Sequence, residues 1–173
     1  MDNHTIFINQ LDAIIFDFDG VLTNNLVYLD QDGKELVACH RGDGLAFDVF
    51  RKLKIKVYIL STEKNPVVTA RATKLQVPVI QGVGNKVEIL GRMAKEKDFK
   101  FSKSLYIGND LNDLGAMVKC GFSACPADSH EQIKEVANII LKTNGGEGVA
   151  REIVEDVLQI NINELLYKQE DDK

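Results

Sequence analysis

The first feature with chemical meaning is a pair of carboxylates placed directly after an apolar run. Asp17 and Asp19 follow the run 13–16, and Gly20 comes next. Two carboxylates at the mouth of a buried strand are unfavourable unless a cation compensates them. Mg²⁺ prefers oxygen ligands and would compensate the charge of these two carboxylates. Taken alone, the pair is more typical of a polar strand end that leads into a turn.

Polar side chains also follow three further apolar runs. The second run ends in hydroxyls, a lysine stands at a helix start after the third, and an acidic cluster follows the fourth. In chain order these residues are Ser61, Thr62, Lys86, Asn109, Asp110 and Asp113. Lysine is unfavourable beside a helix N-terminus, so an anionic partner is expected for it. A phosphoryl group with its metal needs such a set: a nucleophile, hydrogen-bond donors, a cation and Mg²⁺ ligands.

The elements that must position these residues alternate between strands and helices. Continuous apolar runs predict four buried strands, at 13–16, 57–60, 77–80 and 105–107. Helical spacing predicts four helices, at 43–54, 66–75, 86–98 and 111–119. Weaker signals predict strands near 122–125 and 139–141 and helices near 130–137 and 148–160. This order predicts an α/β fold with a doubly wound, Rossmann-like parallel sheet, whose carboxyl edge binds ligands.

One segment interrupts this alternation. Residues 26–38 hold two apolar stretches on either side of an Asp-Gly turn, which is typical of a β-hairpin. Because it follows the first strand, we expect it to project from the carboxyl edge of the sheet. Apolar residues alternate along it, so its own sheet cannot bury both of its faces; they are Val27, Leu29, Leu36 and Val37. The 173 residues suit a single domain over 1–173, with a frayed tail at 169–173.

Composition and charge exclude several classes of protein. The formal net charge is −5, so non-specific binding of nucleic acid is not expected. No apolar run approaches the roughly 20 residues that span a bilayer, so no membrane association is expected either. The N-terminus lacks a signal-peptide pattern, and the spacing of Cys39, Cys120 and Cys125 matches no disulfide framework. We therefore expect a cytoplasmic protein.

Specific stretches of the chain carry a resemblance to a known family. They are the stretches 17–23 and 41–44, Gln81-Gly82 with Lys86, and 145–148 followed by Arg151-Glu152. Over nearly its whole length the chain resembles the haloacid dehalogenase superfamily of phosphohydrolases. More narrowly, it resembles the capless sugar-acid branch. That branch includes 3-deoxy-manno-octulosonate 8-phosphate phosphatases, nonulosonate 9-phosphate phosphatases and the phosphatase-like domains fused to acylneuraminate cytidylyltransferases.

The resemblance implies a role for each residue of the polar set. Asp17 would attack phosphorus and form an aspartyl-phosphate, and Asp19 would protonate the leaving sugar alkoxide and later activate water. Ser61 and Lys86 would hold the phosphoryl oxygens, and Thr62 is a weaker candidate donor. Mg²⁺ is the implied cofactor, with Asp17 and the backbone carbonyl of Asp19 among its ligands.

The fourth motif departs from the commonest pattern of the family. Most relatives carry Gly-Asp-Asp where this chain has Gly108-Asn109-Asp110. In the family, the first position after the glycine supplies a carboxylate to Mg²⁺, and Asn109 would offer a neutral amide oxygen instead. We expect weaker Mg²⁺ binding as a result, with Asp110 and Asp113 left to hold metal-bound water or to orient Lys86. Asparagine at this position is also similar to the cytidylyltransferase-fused branch.

Neither loop that could hold a cap domain is long enough for one. Residues 24–60 are used by the hairpin and one helix, and residues 62–85 leave room for little more than a helix and a strand. The resemblance implies another way to exclude water. In a homotetramer, the hairpin at 26–38 and the segment 145–152 of one subunit would line the pocket of a neighbour. An ordinary strand-to-helix loop is an equally good interpretation of Gly145-Gly146.

The second motif and the helix after it bear on the substrate. Octulosonate phosphatases of the family carry Thr-Gly-Arg where this chain has 61–64, Ser-Thr-Glu-Lys, which resembles the nonulosonate type. Glu63 would accept hydrogen bonds from a nine-carbon sugar acid. Arg71 and Lys74 lie on one helix face and match basic positions that bind the sugar acid in that type, and Arg151 is a further basic candidate. A solvated basic helix face is the alternative.

Three functions follow from these interpretations. The first is a Mg²⁺-dependent phosphatase acting on a nonulosonate 9-phosphate, and the second is a 3-deoxy-manno-octulosonate 8-phosphate phosphatase. The third belongs to another class: a weakly catalytic or non-catalytic oligomerisation module that partners an acylneuraminate cytidylyltransferase. Asn109 favours the module, whereas the intact polar set favours the enzymes; that set is Asp17, Asp19, Ser61 and Lys86.

Overall fold

The computed structural model describes residues 6–168, and its centre is a six-stranded sheet. Its strands are β1 (Ala13–Phe16), β4 (Lys56–Leu60), β5 (Val79–Ile80), β6 (Ser104–Ile107), β7 (Phe122–Cys125) and β8 (Ile139–Ile140). Two shorter strands, β2 (Tyr28–Leu29) and β3 (Glu35–Leu36), pair with each other as an antiparallel hairpin. The central strands are apolar along their length because both faces of the sheet are covered.

The order of the strands creates a crevice at the carboxyl edge. Across the sheet the order is β5-β4-β1-β6-β7-β8, and all neighbours run parallel. In β1, Ile15 lies opposite Tyr58 on one side and Tyr106 on the other. The chain first proceeds from β1 in one direction and then in the other, so a crevice forms between the ends of β1 and β6. The α/β fold predicted from the sequence is confirmed.

Helices lie against both faces of the sheet. They are α1 (Asp43–Lys52), α2 (Val67–Leu75), α3 (Lys86–Glu96), α4 (Leu114–Lys119), α5 (Glu131–Val136), α6 (Val149–Glu152) and α7 (Ile162–Tyr167). Short 3₁₀ turns precede β1 and β6, at Ile8–Gln10 and Phe101–Lys103. Within residues 6–168, no helix is long and apolar enough to cross a membrane.

The core has two halves because side chains alternate along each strand. Ile14 and Phe16 face the half that includes α1, where the rings of Phe16 and Phe47 have centroids 5.4 Å apart. Ala13 and Ile15 face the half that includes α3 and α4. All four residues of β1 are 0% exposed. A shift of β1 by one residue would exchange the two halves, so the position of the residue after it is strongly determined.

Several predicted elements differ in extent from those in the structure. Strand β5 begins at Val79 rather than at residue 77, because Pro78 has no N–H for the ladder. Helix α4 begins at Leu114 rather than at 111. The predicted helix at 148–160 divides into α6 and a π-helical turn over Ile153–Val157, and α7, which the pattern missed, follows separately. The predicted tail at 169–173 lies outside the described residues.

The hairpin of β2 and β3 presents apolar side chains to solvent. Its turn is closed by Asp30, whose Oδ1 accepts from Asp32 N at 2.9 Å and from Lys34 N at 2.8 Å. Five apolar residues are each more than half exposed; they are Leu26, Val27, Tyr28, Leu29 and Leu36. Val37, the fourth apolar residue named in the predicted hairpin, is half-buried and packs against the core of its own chain, so it is not left for a neighbour to cover.

The loop before α6 supports the turn that follows β1. Gly146 N donates to Val21 O at 3.0 Å, and Gly145 N donates to Asp128 Oδ1 at 2.9 Å. A Cβ on either glycine would overlap backbone atoms of that turn, and Gly146 has a φ of +73°. The pair therefore allows a close approach of two backbone segments within one chain.

Candidate active site

The carboxyl ends of β1 and β6 hold a buried group of charged side chains. Asp17 directly follows β1, and its N donates to Ile107 O at 2.9 Å, so the ladder with β6 determines its position. Phe18 N donates to Asp17 Oδ1 at 2.7 Å. Asp17 is only 4% exposed. A carboxylate this buried requires a partner of opposite charge.

Lys86 is that partner, and two carboxylates share it. Its Nζ lies 2.7 Å from Asp17 Oδ1 and 2.7 Å from Asp113 Oδ1, and its side chain is 1% exposed. Lys86 is the first residue of α3, which Asn85 caps by accepting from Glu88 N. The helix dipole disfavours a cation at this end, and the two carboxylates offset that effect. With both carboxylates ionised, the group carries one negative charge in excess.

Asp113 receives hydrogen bonds on both of its oxygens. Oδ1 accepts from Lys86 Nζ at 2.7 Å and from Tyr106 OH at 2.8 Å. Oδ2 accepts from Asn109 N at 3.0 Å and more weakly from Asp110 N at 3.4 Å. This carboxylate therefore holds Lys86 on one side and the loop after β6 on the other.

Asn109 lies in the same loop after β6 and is next to the crevice. Its Oδ1 is buried and has no hydrogen-bond partner within residues 6–168. The amide lies against Gly20, where a Cβ would overlap it, and Gly20 has a φ of +77°. A buried oxygen without a donor is unfavourable by about 1–3 kcal/mol. A cation at this oxygen would remove the penalty.

The oxygens around the crevice fit a hard divalent cation. Every hydrogen bond that the described residues give to the Asp17 carboxylate falls on Oδ1, which leaves Oδ2 for a metal. Asn109 Oδ1 supplies a second oxygen. In the described part of the chain, no three His, Cys, Asp or Glu side chains form a metal cluster by themselves. Amide and backbone carbonyl oxygens must complete the ligand set, as Mg²⁺ permits.

Burial governs the ionisation of Asp17. Desolvation, and then the charge of Asp113, raise the pKa of Asp17, while Lys86 opposes both. A divalent cation beside Oδ2 would lower this pKa, because an adjacent positive charge favours the ionised form. Metal binding and ionisation of Asp17 therefore support each other.

Asp19 lies half-buried at the rim of the crevice. Thr23 Oγ1 donates weakly to Asp19 Oδ1 at 3.4 Å and accepts from Gly20 N at 3.2 Å. Desolvation, followed by the charge of Glu63, raises the pKa of Asp19. A raised pKa favours the protonated carboxyl, which is the form that a proton donor needs.

Strand β4 delivers two hydroxyls to the same edge. Ser61 is buried, and its N donates to Ile80 O at 3.0 Å. Its Oγ accepts from Glu63 N at 3.1 Å, which leaves the hydroxyl proton for a ligand oxygen. Thr62 is exposed, and Asn112 Nδ2 donates to its Oγ1 at 3.4 Å, which links the loops after β4 and β6.

Two further carboxylates lie at the mouth of the crevice. Glu63 Oε1 accepts from Lys64 N at 2.5 Å and from Asn65 N at 2.7 Å. Asn65 Nδ2 in turn donates to Glu35 Oε2 at 3.0 Å, so the hairpin is tied to the loop after β4 of its own chain. The charges of Glu63 and Glu35 both raise the pKa of Asp19. The mouth is therefore acidic next to the proposed reacting centre.

The predicted basic residues lie apart from this group. Arg71 and Lys74 line a groove beside α1 and α2, together with Arg41 and Arg51. Arg71 also donates to His40 O at 2.7 Å. Among the described residues, none of those that hold or contact the Asp17 carboxylate lines this groove.

Two other predicted site residues do not join the buried group. Arg151 is exposed and pairs with Glu155, with 3.0 Å between Nε and Oε2. Asp110 is exposed, and its Oδ1 accepts from Leu111 N at 2.7 Å. The contact with Lys86 belongs to Asp113 instead.

Tyr106 is the residue of this group that the sequence patterns missed. It stands in the middle of a buried strand, where a tyrosine is typical of the core. No local motif marks its hydroxyl. Only the packing of β6 against the loop that follows it brings Tyr106 OH to Asp113.

Comparison with known proteins shows the family to which the chain belongs. The family model of haloacid dehalogenase-like hydrolases matches residues 48–153. A 3-deoxy-D-manno-octulosonate 8-phosphate phosphatase of Haemophilus influenzae is 31% identical over 161 residues, covering 88% of this chain and 85% of the relative. The structure of a family hydrolase from Streptomyces avermitilis has a TM-score of 0.86 at 39% identity and covers 89% of this chain and 94% of that chain.

A further solved structure shows what one relative holds. The 3-deoxy-D-manno-octulosonate 8-phosphate phosphatase of Moraxella catarrhalis, in complex with a magnesium ion, a phosphate ion and KDO, has a TM-score of 0.83. It is 29% identical and covers 89% of each chain. The present chain belongs to the haloacid dehalogenase-like hydrolases. Within that family it is a phosphatase, as the sequence predicted.

We expect Asn109→Asp to tighten Mg²⁺ binding at least about fivefold, because a carboxylate brings one more negative charge to the cation. Calorimetric titration of the substrate-free protein with Mg²⁺ measures this directly. The control is Asn112→Asp, which adds the same charge three residues later at an exposed position and should leave the affinity within about twofold. Equal or weaker binding by Asn109→Asp would mean that Asn109 does not contact the metal.

Proposed function

We propose that this enzyme hydrolyses the phosphate monoester of a sugar acid through an aspartyl-phosphate intermediate. One observation carries the proposal: Asp17 and Asp113, both buried, share the single ammonium of Lys86 at the switch point of the sheet. Asp17 is thereby held beside a cation that can bind phosphoryl oxygens. The excess negative charge suits a divalent metal.

Asp17 is the nucleophile of the first half-reaction. Its oxygen attacks phosphorus, and the bond between phosphorus and the sugar oxygen breaks as the new bond forms. Asp19 gives its proton to the departing alkoxide. Ser61 and Lys86 donate to the phosphoryl oxygens, whose charge they stabilise in the transition state. The sugar alcohol leaves, and the phosphoryl group stays on Asp17.

Asp19 serves again in the second half-reaction. As a carboxylate it takes a proton from a water molecule, and the water oxygen attacks phosphorus. The bond between phosphorus and Asp17 breaks, which releases inorganic phosphate and restores both aspartates. The rim position of Asp19 beside Thr23 leaves it open to the leaving group and to water.

The proposed cofactor is Mg²⁺, held by Asp17, Asn109 and the backbone carbonyl of Asp19. When bound, it neutralises and orients the phosphoryl oxygens. The chain itself supplies the shape of this site. Gly20 leaves room for the amide of Asn109, and Asp113 holds the loop that carries this amide.

A nonulosonate 9-phosphate, a sialic-acid-type sugar, is the substrate that we propose. The charge of Glu63 raises the pKa of Asp19, which supports a role for Glu63 as an acceptor for sugar hydroxyls near the reacting ester. Arg71 and Lys74 supply the donors that a sugar carboxylate needs. Because their groove is separate from the buried group of their own chain, we assign them to the site of a neighbouring copy.

A 3-deoxy-manno-octulosonate 8-phosphate is the second candidate substrate. It is favoured by the Haemophilus and Moraxella relatives, which bear the name of that activity. The stretch 61–64 favours the nine-carbon acid instead, because Glu63 offers a hydrogen-bond acceptor where octulosonate phosphatases of the family carry an arginine. The two acids differ in chain length, and a sialic-acid-type nonulosonate also carries an acyl-amino group that can donate to an acceptor.

We further propose a homotetramer in which neighbouring subunits complete each site. A two-stranded hairpin is marginal in water, and this one exposes five large apolar side chains. Packing them against a second copy would bury that surface and exclude water from the capless crevice. The segment 145–152 approaches the turn of its own chain, so we assign the neighbour's contribution to the hairpin and to the groove of Arg71 and Lys74 instead.

The hypothesis of a non-catalytic module, which is from another class of protein, conflicts with the relatives, which are named as phosphatases. The amide of Asn109 in place of a carboxylate is the observation that favours it. The buried ion group opposes it, because a merely structural domain gains little from sharing one ammonium between two desolvated carboxylates. Mg²⁺-dependent turnover by the purified chain would exclude it.

We expect Asp17→Asn to lose phosphatase activity by at least about a thousandfold while the fold is retained, because the amide is nearly isosteric and is not a nucleophile. Turnover of p-nitrophenyl phosphate and circular dichroism measure the two properties. Asp98→Asn, an exposed aspartate with a φ of +52° that asparagine tolerates, is the control and should keep full activity. Appreciable turnover by folded Asp17→Asn would rule out the covalent route.

Side-by-side kinetics with both sugar-acid phosphates test the substrate. We expect kcat/KM to be at least about tenfold higher for the nonulosonate 9-phosphate, with Glu63→Gln reducing this preference because the amide is a weaker acceptor than the carboxylate. Glu88→Gln, exposed on α3, is the matched control. A preference for the eight-carbon acid would replace the proposed substrate with the second candidate.

Leu29→Lys should lower both oligomer size and activity, because a charge would have to enter an apolar interface. Light scattering coupled to size exclusion gives the mass, and an assay on the same fractions gives the rate. Val118→Lys changes an equally exposed apolar residue on α4 and should alter neither. A fully active wild-type monomer would contradict the proposed assembly.

A further inference from the structure

The hydroxyl of Tyr106 is a buried donor that the mechanism above does not use. It donates to Asp113 Oδ1 at 2.8 Å, and the same oxygen accepts from Lys86 Nζ at 2.7 Å. Tyr106 is 0% exposed. A phenol placed this deep needs a partner, and here the partner is the carboxylate that orients the phosphoryl-binding lysine.

The shared oxygen makes the two donors interdependent. Lys86 has three N–H groups; one faces Asp17, a second faces Asp113, and the third remains for a ligand. Each donor on Asp113 Oδ1 takes up part of its negative charge. Without the phenol, Lys86 would be the one donor left on Asp113 Oδ1 among the described residues. The ammonium would then be held more tightly by Asp113 and less by the phosphoryl group on Asp17.

We propose that Tyr106 is a positioning residue for the phosphatase reaction: by donating to Asp113, it keeps Lys86 available to the phosphoryl oxygens. This inference rests on the phosphoryl-binding role assigned to Lys86 above. It does not depend on which sugar acid is the substrate. The metal site is unaffected, because Asn109 is held by the other oxygen of Asp113.

The sheet itself provides a matched control. Tyr58 and Tyr106 lie opposite the same residue, Ile15, on the two sides of β1, and both belong to the same half of the core. Tyr58 packs against Phe99 and contacts neither Asp113 nor Lys86 among the hydrogen bonds of the described residues. Tyr58→Phe therefore repeats the chemical change without the proposed effect.

The first measurement is turnover of p-nitrophenyl phosphate at saturating Mg²⁺. We expect Tyr106→Phe to lower kcat/KM about tenfold, which corresponds to about 1.4 kcal/mol. The Mg²⁺ concentration for half-maximal activity should stay within about twofold of wild type, which a general disruption of the site would not allow. Tyr58→Phe should match wild type in both quantities, and thermal unfolding shows whether all three proteins are equally folded.

The second measurement is the affinity for inorganic phosphate by calorimetry, with and without Lys86→Met. Tyr106→Phe should weaken phosphate binding severalfold in the wild-type background and have no further effect once Lys86 is replaced. A loss of equal size in both backgrounds, an equal loss in Tyr58→Phe, or unchanged kinetics and affinity in Tyr106→Phe would each overturn the inference. If the effect of Tyr106→Phe on phosphate binding depends on Lys86 but the wild-type protein shows no turnover, the proposed function is refuted and the inference about Tyr106 stands.

Discussion

One lysine shared by two buried carboxylates is the interaction on which the rest of the site depends. Asp17 and Asp113 are both buried, and each lies 2.7 Å from the ammonium of Lys86, which opposes the rise in the pKa of Asp17 that burial causes. Because one ammonium does not balance two ionised carboxylates, the group of Asp17, Asp113 and Lys86 favours binding of a further cation. The proposed nucleophile, the proposed phosphoryl-binding cation and the proposed metal site therefore come from a single arrangement of charges.

The fold brings this group together through the order of its strands and through backbone contacts around the group. The three residues come from the ends of β1 and β6 and from the start of α3, which the sheet order brings together at its switch point. Glycines permit the close approaches around it: Gly20 accommodates the amide of Asn109, and the pair before α6 supports the turn after β1. These contacts support the turn that carries Asp19, the proposed proton donor and general base.

Within residues 6–168, the outer part of the site, unlike its centre, lacks ion-pair partners for its carboxylates and leaves apolar side chains exposed. The mouth is acidic, the basic groove lies elsewhere on the same chain, and the hairpin holds apolar side chains in water although Glu35 ties it to the loop after β4. Within one subunit, a substrate with both a phosphate and a carboxylate would find a cation for its phosphate at Lys86, whereas the basic side chains proposed for its carboxylate, Arg71 and Lys74, line the separate groove. The proposed assembly would therefore bear on substrate selection, because a neighbouring subunit would supply the basic groove and cover the hairpin.

The sequence by itself determined the sheet, because continuous apolar runs of strand length leave few alternatives, and it determined the edge at which Asp17, Ser61, Lys86 and Asn109 meet. Local pattern could not decide which acidic residue reaches Lys86. Asp113 does so, rather than Asp110, because the loop after β6 closes around its carboxylate. Nor could it reveal Tyr106, the half-burial of Val37 or the separate α7. Each of these depends on contacts between residues distant in sequence or on how a loop closes, and such contacts exist only once the sheet has been assembled.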